Sequence, residues 1–321
     1  MIFEGLPTTP RSEELLDKAF SRASRAGRAK TGVEAQQSML QTSSNILSDN
    51  LHNVVQSWPD FDTVDPFYYE LADAIVDVNR LREALSQVTW ASQKTHSLGR
   101  EYIGKLPKGN VDEARKVRKQ AFARMGSVIN QIEDDLQYIG EARDALRDLP
   151  DIRPDEPAIV VAGYPNVGKS SFVNANTNAS NEIAQYPFTT KGIQLGHFEH
   201  ERIRYQLVDT PGLLDRPADE RNEIERQAVS AVQHLADAIL FFIDASATCG
   251  YPVEDQRELL ADVKAQFQDV PVIVVCNKSD LDTDTEADYY MSVETGEGVE
   301  DVLAAAAEAT GFEPDMPASR N

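Results

Sequence analysis

GYPNVGKS stands at residues 163–170, after the apolar run AIVVA at 158–162 and before a helical continuation at 171–176. A strand, a glycine-rich loop and a helix in this order predict a phosphate-binding loop, because glycines allow backbone N–H groups to approach phosphates in front of a helix N-terminus. Lys169 is expected to reach the outer phosphates and Ser170 to bind magnesium. The nucleotide contacts predicted in this loop are Asn166, Val167, Gly168, Lys169, Ser170 and Ser171.

DTPG at residues 209–212 is the second string, and it follows the apolar run 203–208. This order places Asp209 at the end of a strand, where its carboxylate can hold magnesium through water. The Gly212 amide is then expected to sense the terminal phosphate of the nucleotide.

NKSD at residues 277–280 also follows an apolar run, PVIVVC at 271–276. The Asp280 carboxylate can accept two hydrogen bonds, from the ring N–H and the amino group of guanine, which adenine does not present in that pattern. Asn277 is expected to read a ring nitrogen of the base and to brace the loop. The aliphatic stem of Lys278 is expected to lie along the base.

SVETGEG at residues 292–298 is the last string of this set. Ser292 and Val293 are expected to close over the base, and an ordinary strand-to-helix loop is the alternative. Coincidence does not explain the three principal strings, since on the order of one random chain in a million would contain them all. The predicted ligand is therefore GTP or GDP.

The segment before the second string ends in QYPFTTK and is expected to sense the nucleotide. Thr190 is its predicted magnesium ligand, with Thr189 as the alternate. The other interpretation is a turn-forming threonine pair that binds no ligand, because loop threonines commonly make local hydrogen bonds. The predicted magnesium ligands are Ser170, Thr190 and Asp209.

Leu213 stands where many GTPases have a glutamine that orients the attacking water. A leucine cannot position water, so hydrolysis requires another group, a partner or a cation. Asn166 is placed to help bind potassium beside the phosphates, where positive charge stabilises the transition state; the alternative is that it only caps the loop. The predicted catalytic residues are Lys169, Thr190, Gly212 and Asn166, and the roles of Arg216 and Arg221 stay open.

The chain is strongly acidic, with 53 Asp and Glu against 31 Lys and Arg and a net charge of −22. Residues 1–153 contribute −3, whereas residues 154–321 contribute −19. This balance argues against a general nucleic-acid binder, DNA included, and self-repelling surfaces suit a cytosol rich in salt. We predict a halophilic, cytoplasmic protein that is monomeric when free, without a membrane span and without a disulfide framework for its two cysteines.

The two halves also differ in periodicity. Residues 1–153 have helical spacing, with one long helix predicted over 111–149 and helix starts at Thr9-Pro10 and Asp65-Pro66. DLPDIRPDEP at 148–157 marks the boundary. The predicted fold is an all-α bundle or hairpin (1–153), an α/β P-loop GTPase domain with a mostly parallel sheet and helices on both faces (154–313), and a short tail (314–321).

Basic side chains form two clusters in the helical half: Lys18, Arg22, Arg25, Arg28 and Lys30, and then Arg115, Lys116, Arg118, Lys119 and Arg124. In a chain this acidic, retained basic helix faces favour phosphate contacts and hence RNA. Solvated helix surface paired with nearby acids is an equally weighted alternative. The predicted RNA-facing residues are Lys18, Arg22, Arg25, Arg115 and Lys119.

Segments that extend or connect the nucleotide strings resemble those of the nucleolar GTP-binding proteins of the Obg-like group. They include YPFTTKGIQLGHF, QLVDTPGLLDRP, ERNEIERQA, the HLADAILFFID run, DPFYYEL and the basic stretch ending RMGS. The resemblance implies a helical domain that engages ribosomal RNA or a large-subunit precursor, an Obg-type GTPase domain that times an assembly step, and a hydrophobic residue at Leu213. Nuclear members continue into a C-terminal extension, whose contacts are not carried over to this chain.

Two functions follow from these observations. The first is a slow, partner-stimulated GTPase that acts as a nucleotide-dependent switch in large ribosomal subunit assembly. The second is a GTP-dependent protein-binding module with a non-ribosomal partner, whose hydrolysis is incidental. A membrane-remodelling GTPase is disfavoured, because the apolar stripe is expected to be buried and the acidic surface repels anionic lipid.

Overall fold

The computed structural model describes residues 2–147, 152–153, 155–177, 182–184, 193–216 and 220–313. Its helices are α1 (Ser12–Arg28), α2 (Gly32–Gln56), α3 (Pro66–Ile75), α4 (Val78–Gly104), α5 (Val111–Gln131), α6 (Glu133–Leu146), α7 (Lys169–Asn176), α8 (Glu223–Leu235), α9 (Val253–Gln266) and α10 (Val299–Ala309). Its strands are β1 (Ala158–Ala162), β2 (Glu182–Ala184), β3 (Ile193–His200), β4 (Ile203–Asp209), β5 (Ala238–Asp244), β6 (Val272–Asn277) and β7 (Tyr289–Tyr290). Within these described ranges, no helix is long and apolar enough to cross a membrane.

The elements form two compact units. The helical unit comprises Ile2–Thr63 and Val76–Arg147, and the sheet unit comprises Val64–Ile75 with the described residues that follow Arg147. Helix α3 therefore packs with the sheet unit, where it contacts α8. The hydroxyl of Tyr68 in α3 also donates to the Ile152 carbonyl. The packing units thus interleave along the chain, whereas the sequence suggested a single division after residue 153.

Helix α2 is the centre of the helical unit and contacts α1, α4 and α5. Small residues bring α2 and α4 close together: a Cβ on Gly99 would lie 2.3 Å from Ser44 Oγ. At the same interface, Ser92 Oγ donates to the Ser48 carbonyl at 2.8 Å. Helix α4 also contacts α5.

The apolar run at 111–149 does not form one helix, so that prediction was wrong. The backbone of Ile132 leaves helical values at φ −102° and ψ 17°, which ends α5 and starts α6. The first turn of α6 is acidic, and negative charge stabilises a helix N-terminus. The apolar spacing nevertheless continues through the break, in the buried side chains Met125, Ile129, Leu136 and Ile139.

The two helix starts expected from proline had different outcomes. Helix α3 begins at Pro66 as predicted, and Asp65 Oδ1 accepts from Phe67 N at 2.9 Å. Helix α1 begins at Ser12, because the Glu14 carboxylate caps the Arg11 N–H at 3.3 Å. The predicted start at Thr9-Pro10 was placed too early.

The sheet unit is built on a sheet whose described strands lie in the order β2-β3-β4-β1-β5-β6-β7. Strands β4, β1, β5, β6 and β7 are parallel, and β2 and β3 extend the sheet antiparallel beyond β4. Strands β1 and β5 are buried at every residue, as expected of continuous apolar runs covered on both faces. The predicted fold class, a helical domain followed by an α/β domain with a mostly parallel sheet, is confirmed.

The parallel strands share one functional edge. Strand β1 leads into residues 163–170, β4 ends at Asp209, β5 at Asp244 and β6 at Asn277. The carboxyl ends of parallel strands meet at the same edge, where ligands of open α/β sheets bind. The strings found in the sequence therefore converge in space.

Candidate functional site

The phosphate loop, residues 163–170, depends on two glycines with positive φ. Gly163 has φ +126° and Gly168 has φ +105°. A Cβ on Gly163 would lie 2.5 Å from the Phe242 carbonyl oxygen, and one on Gly168 would lie 2.1 Å from Asn277 Nδ2. Glycine is therefore required at both positions, by conformation and by space.

Lys169 begins α7 and turns its side chain back into the loop. The residue is 7% exposed, and its Nζ donates to the carbonyl oxygens of Gly163 and Tyr164 at 2.6 and 2.9 Å. The ammonium thus lies in the cradle that the phosphates would fill. The surrounding cavity has a volume of about 500 Å³ and is lined by Pro165, Asn166, Gly168, Lys169, Ser170, Ser171, Pro211, Gly212, Asp215 and Arg216.

Two of the predicted magnesium ligands are in direct contact. Ser170 Oγ donates to Asp209 Oδ2 at 2.5 Å, and Asp209 is fully buried at the end of β4. A hydroxyl and a carboxylate are hard oxygen donors of the kind that magnesium prefers beside phosphates, so these residues fit the ion. Thr190 and its alternate Thr189 lie outside the described residues.

Gly212 lines the same cavity as the phosphate loop. It has φ +88°, and its N–H donates to Asp215 Oδ2 at 2.8 Å. Arg216 Nη2 lies 3.3 Å from the Gly212 carbonyl oxygen and 3.4 Å from Glu225 Oε1. The amide predicted to sense the terminal phosphate is thus held within a cluster of charged side chains.

The two arginines whose roles were open differ in position. Arg216 lines the phosphate cavity. Arg221 is only 4% exposed and donates to Gln266 Oε1 at 2.8 Å and to the Arg216 carbonyl at 3.0 Å. Arg221 therefore anchors the segment after DTPG to α9, and Arg216 is the guanidinium that faces the phosphate site.

Leu213 points into the interior of the sheet unit. Its exposure is 0%, that of Leu214 is 1%, and the Leu213 N–H donates to the Thr210 carbonyl at 3.1 Å. The side chain at the position of the water-orienting glutamine is therefore part of the core. It cannot take part in hydrolysis.

A second cavity of about 320 Å³ shares Gly168 and Ser171 with the first. It is lined by five residues predicted to contact the base: Asn277, Lys278, Asp280, Ser292 and Val293. Thr248, Leu281 and Glu294 also line it and were not predicted. Both volumes lie in the range of about 300–1,000 Å³ typical of small-molecule pockets, and together the cavities provide adjoining places for a base and its phosphates.

Asn277 ties three segments of this site together. Its Nδ2 donates to the Val167 carbonyl in the phosphate loop at 2.8 Å, and its Oδ1 accepts from the Val293 N–H at 3.3 Å. The side chain is 2% exposed. The bracing role expected of Asn277 thus has a direct structural counterpart.

Lys278 is held by Asp244, a residue that the sequence reasoning missed. Lys278 has φ +59°, and its Nζ donates to Asp244 Oδ2 at 2.7 Å and to Thr248 Oγ1 at 2.9 Å. The fully buried Asp244 carboxylate also accepts from Ser246 Oγ at 2.5 Å and from the Cys249 N–H at 2.8 Å. Burial alone would raise the pKa of Asp244, but the hydrogen bonds from Lys278, Ser246, Thr248 and Cys249 lower it overall.

A signal for Asp244 was present in the sequence. It follows the apolar run at 238–243, as Asp209 follows the run at 203–208. The rule that places polar residues at strand ends applies equally to both. Thr248 and Glu294 carry no comparable signal, because they reach the base cavity through the folding of loops.

The predicted RNA-facing residues are exposed on two helices of the helical unit. Phe20 of α1 stacks on Phe122 of α5, with ring centroids 4.4 Å apart, so these helices lie side by side. Lys18, Arg22 and Arg25 are exposed on α1, and Arg115 and Lys119 are exposed on α5. Lys18 Nζ donates to Asn50 Oδ1 at 2.8 Å, and Arg115 pairs with Asp112 at 3.1 Å.

Comparison with known protein families gives matches to both parts of the chain. Residues 3–153 match the family model described as the NOG1 N-terminal helical domain, and residues 158–278 match the model described as 50S ribosome-binding GTPase. The domain found in the second segment is a P-loop GTPase domain, which binds guanine nucleotide.

Curated relatives match over most of this chain. An uncharacterized protein of Methanocaldococcus jannaschii is 38% identical over 289 residues, which cover 87% of this chain and 81% of that protein. Nucleolar GTP-binding protein 1 of Eremothecium gossypii is 33% identical over 87% of this chain and 45% of its own length. The same protein of Saccharomyces cerevisiae is 34% identical over 78% of this chain and 40% of its own length. The chain thus spans less than half of each of these two nucleolar proteins.

Both family models and the identity to these relatives are consistent with the same family. The phosphate cavity lies within the matched residues 158–278, and the base cavity begins in them and extends to Glu294. The chain is a GTP-binding protein and belongs to the nucleolar GTP-binding protein 1 family.

Proposed function

We propose that this protein hydrolyses GTP to GDP and phosphate, slowly when alone, and acts as a nucleotide-dependent switch in large ribosomal subunit assembly. The observation that carries this function is the meeting of the phosphate and base cavities at Gly168 and Ser171. The relatives named nucleolar GTP-binding protein 1 and the family description of a 50S ribosome-binding GTPase support the choice of the ribosome.

The phosphate cavity contains the charges that phosphoryl transfer requires, except for a water-orienting group. Lys169 supplies positive charge, while Ser170 and Asp209 would hold magnesium, which neutralises charge on the phosphates when bound. Leu213 is buried and contributes nothing. Asn166 is exposed, lines the cavity and has φ +65°, so its side chain is available to a monovalent cation. Potassium held there is our proposal for the missing positive charge.

The helical unit supplies the surface for the ribosomal partner. Its exposed basic residues on α1 and α5 stand out in a chain with a net charge of −22. Close contacts with RNA phosphates would explain their retention, because loose electrostatic attraction is weak at high salt. We place this activity in a cytoplasm rich in potassium, in keeping with the acidic surface of the sheet unit.

GTP hydrolysis and the preference for guanine nucleotides test the proposed GTPase activity. Wild-type protein is expected to release phosphate from GTP, and Lys169→Ala is expected to abolish release. Asp280→Asn replaces an acceptor by a donor at the base. It should therefore weaken the binding of guanine nucleotides and favour the binding of xanthine nucleotides, which have an oxygen in place of the amino group. The matched control is Asp282→Asn. It makes the same change at an exposed residue two positions further along the chain, which does not line the cavity.

Association with ribosomal particles tests the switch. Co-sedimentation with large-subunit precursors should be stronger with a non-hydrolysable GTP analogue than with GDP. Equal sedimentation with both nucleotides would refute the switch. Nucleotide-dependent capture of a protein in the absence of ribosomal RNA would instead identify a protein-binding module.

A further inference from the structure

A groove of about 410 Å³ opens between α4 and α5 of the helical unit. Trp90, Lys94 and Glu101 of α4 line one side, and Arg124, Ser127 and Gln131 of α5 line the other. Leu98 and Val128 form an apolar floor, 4% and 9% exposed. Arg124 belongs to the second basic cluster, but none of these residues is among the five predicted RNA-facing residues or in the nucleotide site.

Trp90 is the distinctive member of the groove. It is 39% exposed, whereas Trp58, the other tryptophan, is 8% exposed and packs against Phe3 and Phe61. A large aromatic side chain is usually withdrawn from water when a core is available to it. An indole left exposed beside polar and basic groups offers a flat face on which another ring can stack.

Two cations of the groove remain available to a ligand. Lys94 and Arg124 both act electrostatically on Glu101, whose pKa is lowered first by its hydrogen bond to Lys105 and then by these charges. Glu101 itself pairs with Lys105 at 2.5 Å. Within the described part of the chain, neither Lys94 nor Arg124 has a salt-bridge partner within 4.0 Å.

The segment from Lys94 in α4 to Gln131 in α5 is basic, although the chain as a whole is acidic. Residues 94–131 contain nine Lys and Arg against three Asp and Glu, although the whole chain has a net charge of −22. Positive charge is therefore concentrated along the two helices that form the groove. A ligand that carries negative charges beside a flat ring matches these groups.

We propose that the α4–α5 groove binds a single-stranded segment of RNA, with one base stacked on Trp90 and the flanking phosphates on Lys94 and Arg124. Ser127 and Gln131 offer donors and acceptors to the edge of that base. This inference rests on the proposed function and names the part of the RNA that the helical unit recognises. Duplex RNA does not fit, because its base faces are stacked inside the helix.

Stacking also explains how recognition survives salt. At about 1 M salt the Debye length falls to about 3 Å, so distant phosphates are screened. Stacking of a base on an aromatic side chain does not depend on long-range charge. A peptide of acidic residues alone would use Lys94 and Arg124 but would leave the face of Trp90 without a partner, which is why RNA is favoured.

Tryptophan fluorescence gives a direct measurement on the full chain. In a Trp58→Phe background, Trp90 is the remaining tryptophan and reports on the groove alone. A short single-stranded RNA oligonucleotide is expected to quench its emission to saturation. Trp90→Ala should weaken binding of labelled oligonucleotide by roughly 5- to 150-fold, the equivalent of about 1–3 kcal/mol per stacked base, and Trp90→Phe should retain most of the affinity.

Charge reversal tests the phosphate contacts separately. Lys94→Glu with Arg124→Glu should weaken binding and flatten its dependence on salt, because fewer counterions are released. Lys264→Glu, at an exposed lysine of α9 in the sheet unit, is the matched control. The thermal melting curve shows that each variant is folded, and the quenching of Trp90 and the charge-reversal variant remain informative if Trp90→Ala does not fold.

Several results would overturn the groove site. These are equal RNA affinity of wild type and a folded Trp90→Ala variant, unchanged Trp90 emission at saturating RNA, equal binding of duplex RNA of the same sequence, or equal quenching by polyglutamate. Particle association is measured separately on wild-type protein. If the protein binds RNA through Trp90 but does not associate with large-subunit precursors, the proposed function is refuted and the groove site is not.

Discussion

The backbone N–H of Gly212 donates a hydrogen bond to the carboxylate of Asp215, with 2.8 Å between N and Oδ2. The same amide is the group expected to bind the terminal phosphate of GTP. A carboxylate and a phosphate oxygen therefore compete for one donor. Arg216, which lies 3.8 Å from Asp215 Oδ1, is placed to pair with the carboxylate in either state.

The Asp215→Asn substitution is expected to favour GTP over GDP by roughly 3- to 10-fold, about 1 kcal/mol, because it weakens the competing acceptor and removes a negative charge from the cavity. GDP affinity should change less, since GDP has no terminal phosphate to accept from the Gly212 N–H. Titration with both nucleotides measures the ratio. Asp255→Asn, an exposed acid of α9, is the control, and a ratio that shifts equally in both variants would contradict local competition.

The Asp244→Asn substitution is expected to weaken GTP and GDP in parallel. Asp244 holds the Lys278 ammonium at 2.7 Å, and removing one partner of a buried charge pair costs about 2–5 kcal/mol. We expect at least a roughly 10-fold loss for each nucleotide. Thr248→Val removes only the weaker of the two acceptors of Lys278 and should have a smaller effect. A changed preference between GTP and GDP would argue against a role at the base.

The acid sensitivity of this contact follows from the pKa of Asp244. Hydrogen bonds lower the folded pKa of this carboxyl despite its burial. Its stabilising contribution is therefore fully present above the ordinary Asp value of about 3.9 and is lost only as the pH falls through the lowered folded value. Guanine nucleotide affinity should not fall from this cause near pH 5, and a titration of wild type against Asp244→Asn over pH 4–8 checks it.

The residues that line the two cavities were largely predictable, because their signals in the sequence are local. Gly168 is recognisable from the motif around it, and Asp209 from the apolar run that precedes it. The helix break at Ile132 was not predictable from spacing, because the apolar stripe continues through it. The packing of α3 with α8 and the exposure of Trp90 depend on contacts between distant segments, which periodicity does not encode.

Potassium should stimulate hydrolysis through Asn166. This residue has φ +65°, so Asn166→Gly preserves the backbone conformation while removing the side-chain oxygen. Wild-type turnover is expected to be higher in KCl than in NaCl at equal ionic strength, and Asn166→Gly should lose that difference while retaining GTP affinity. Equal wild-type turnover in the two salts would rule out the cation site.

The two cysteines should resist alkylation in the folded protein. Cys249 and Cys276 are 4% and 0% exposed, and burial raises the pKa of both thiols. A raised pKa lowers the fraction of reactive thiolate at neutral pH, and burial blocks access to it. Iodoacetamide should therefore label either residue only after urea unfolding, as mass spectrometry would show. Rapid labelling of Cys249 in native protein at neutral pH would mean that the loop beside the base cavity opens.

Salt should stabilise the fold through the acidic half of the chain. Residues 154–321 have a net charge of −19, and residues 280–288 alone carry five acids, at every second position. At about 1 M salt, repulsion between charges more than about 3 Å apart is largely screened, so melting temperature should rise between dilute buffer and molar KCl.

This screening can be separated from cation binding at Asn166. Without nucleotide, KCl and NaCl should raise the melting temperature equally, because screening depends on ionic strength and not on the identity of the cation. The double substitution Asp284→Asn with Glu286→Gln removes two exposed charges, so it should raise the melting temperature in dilute buffer more than in molar salt. A melting temperature that does not rise with salt would show that repulsion in the sheet unit is already balanced within the fold.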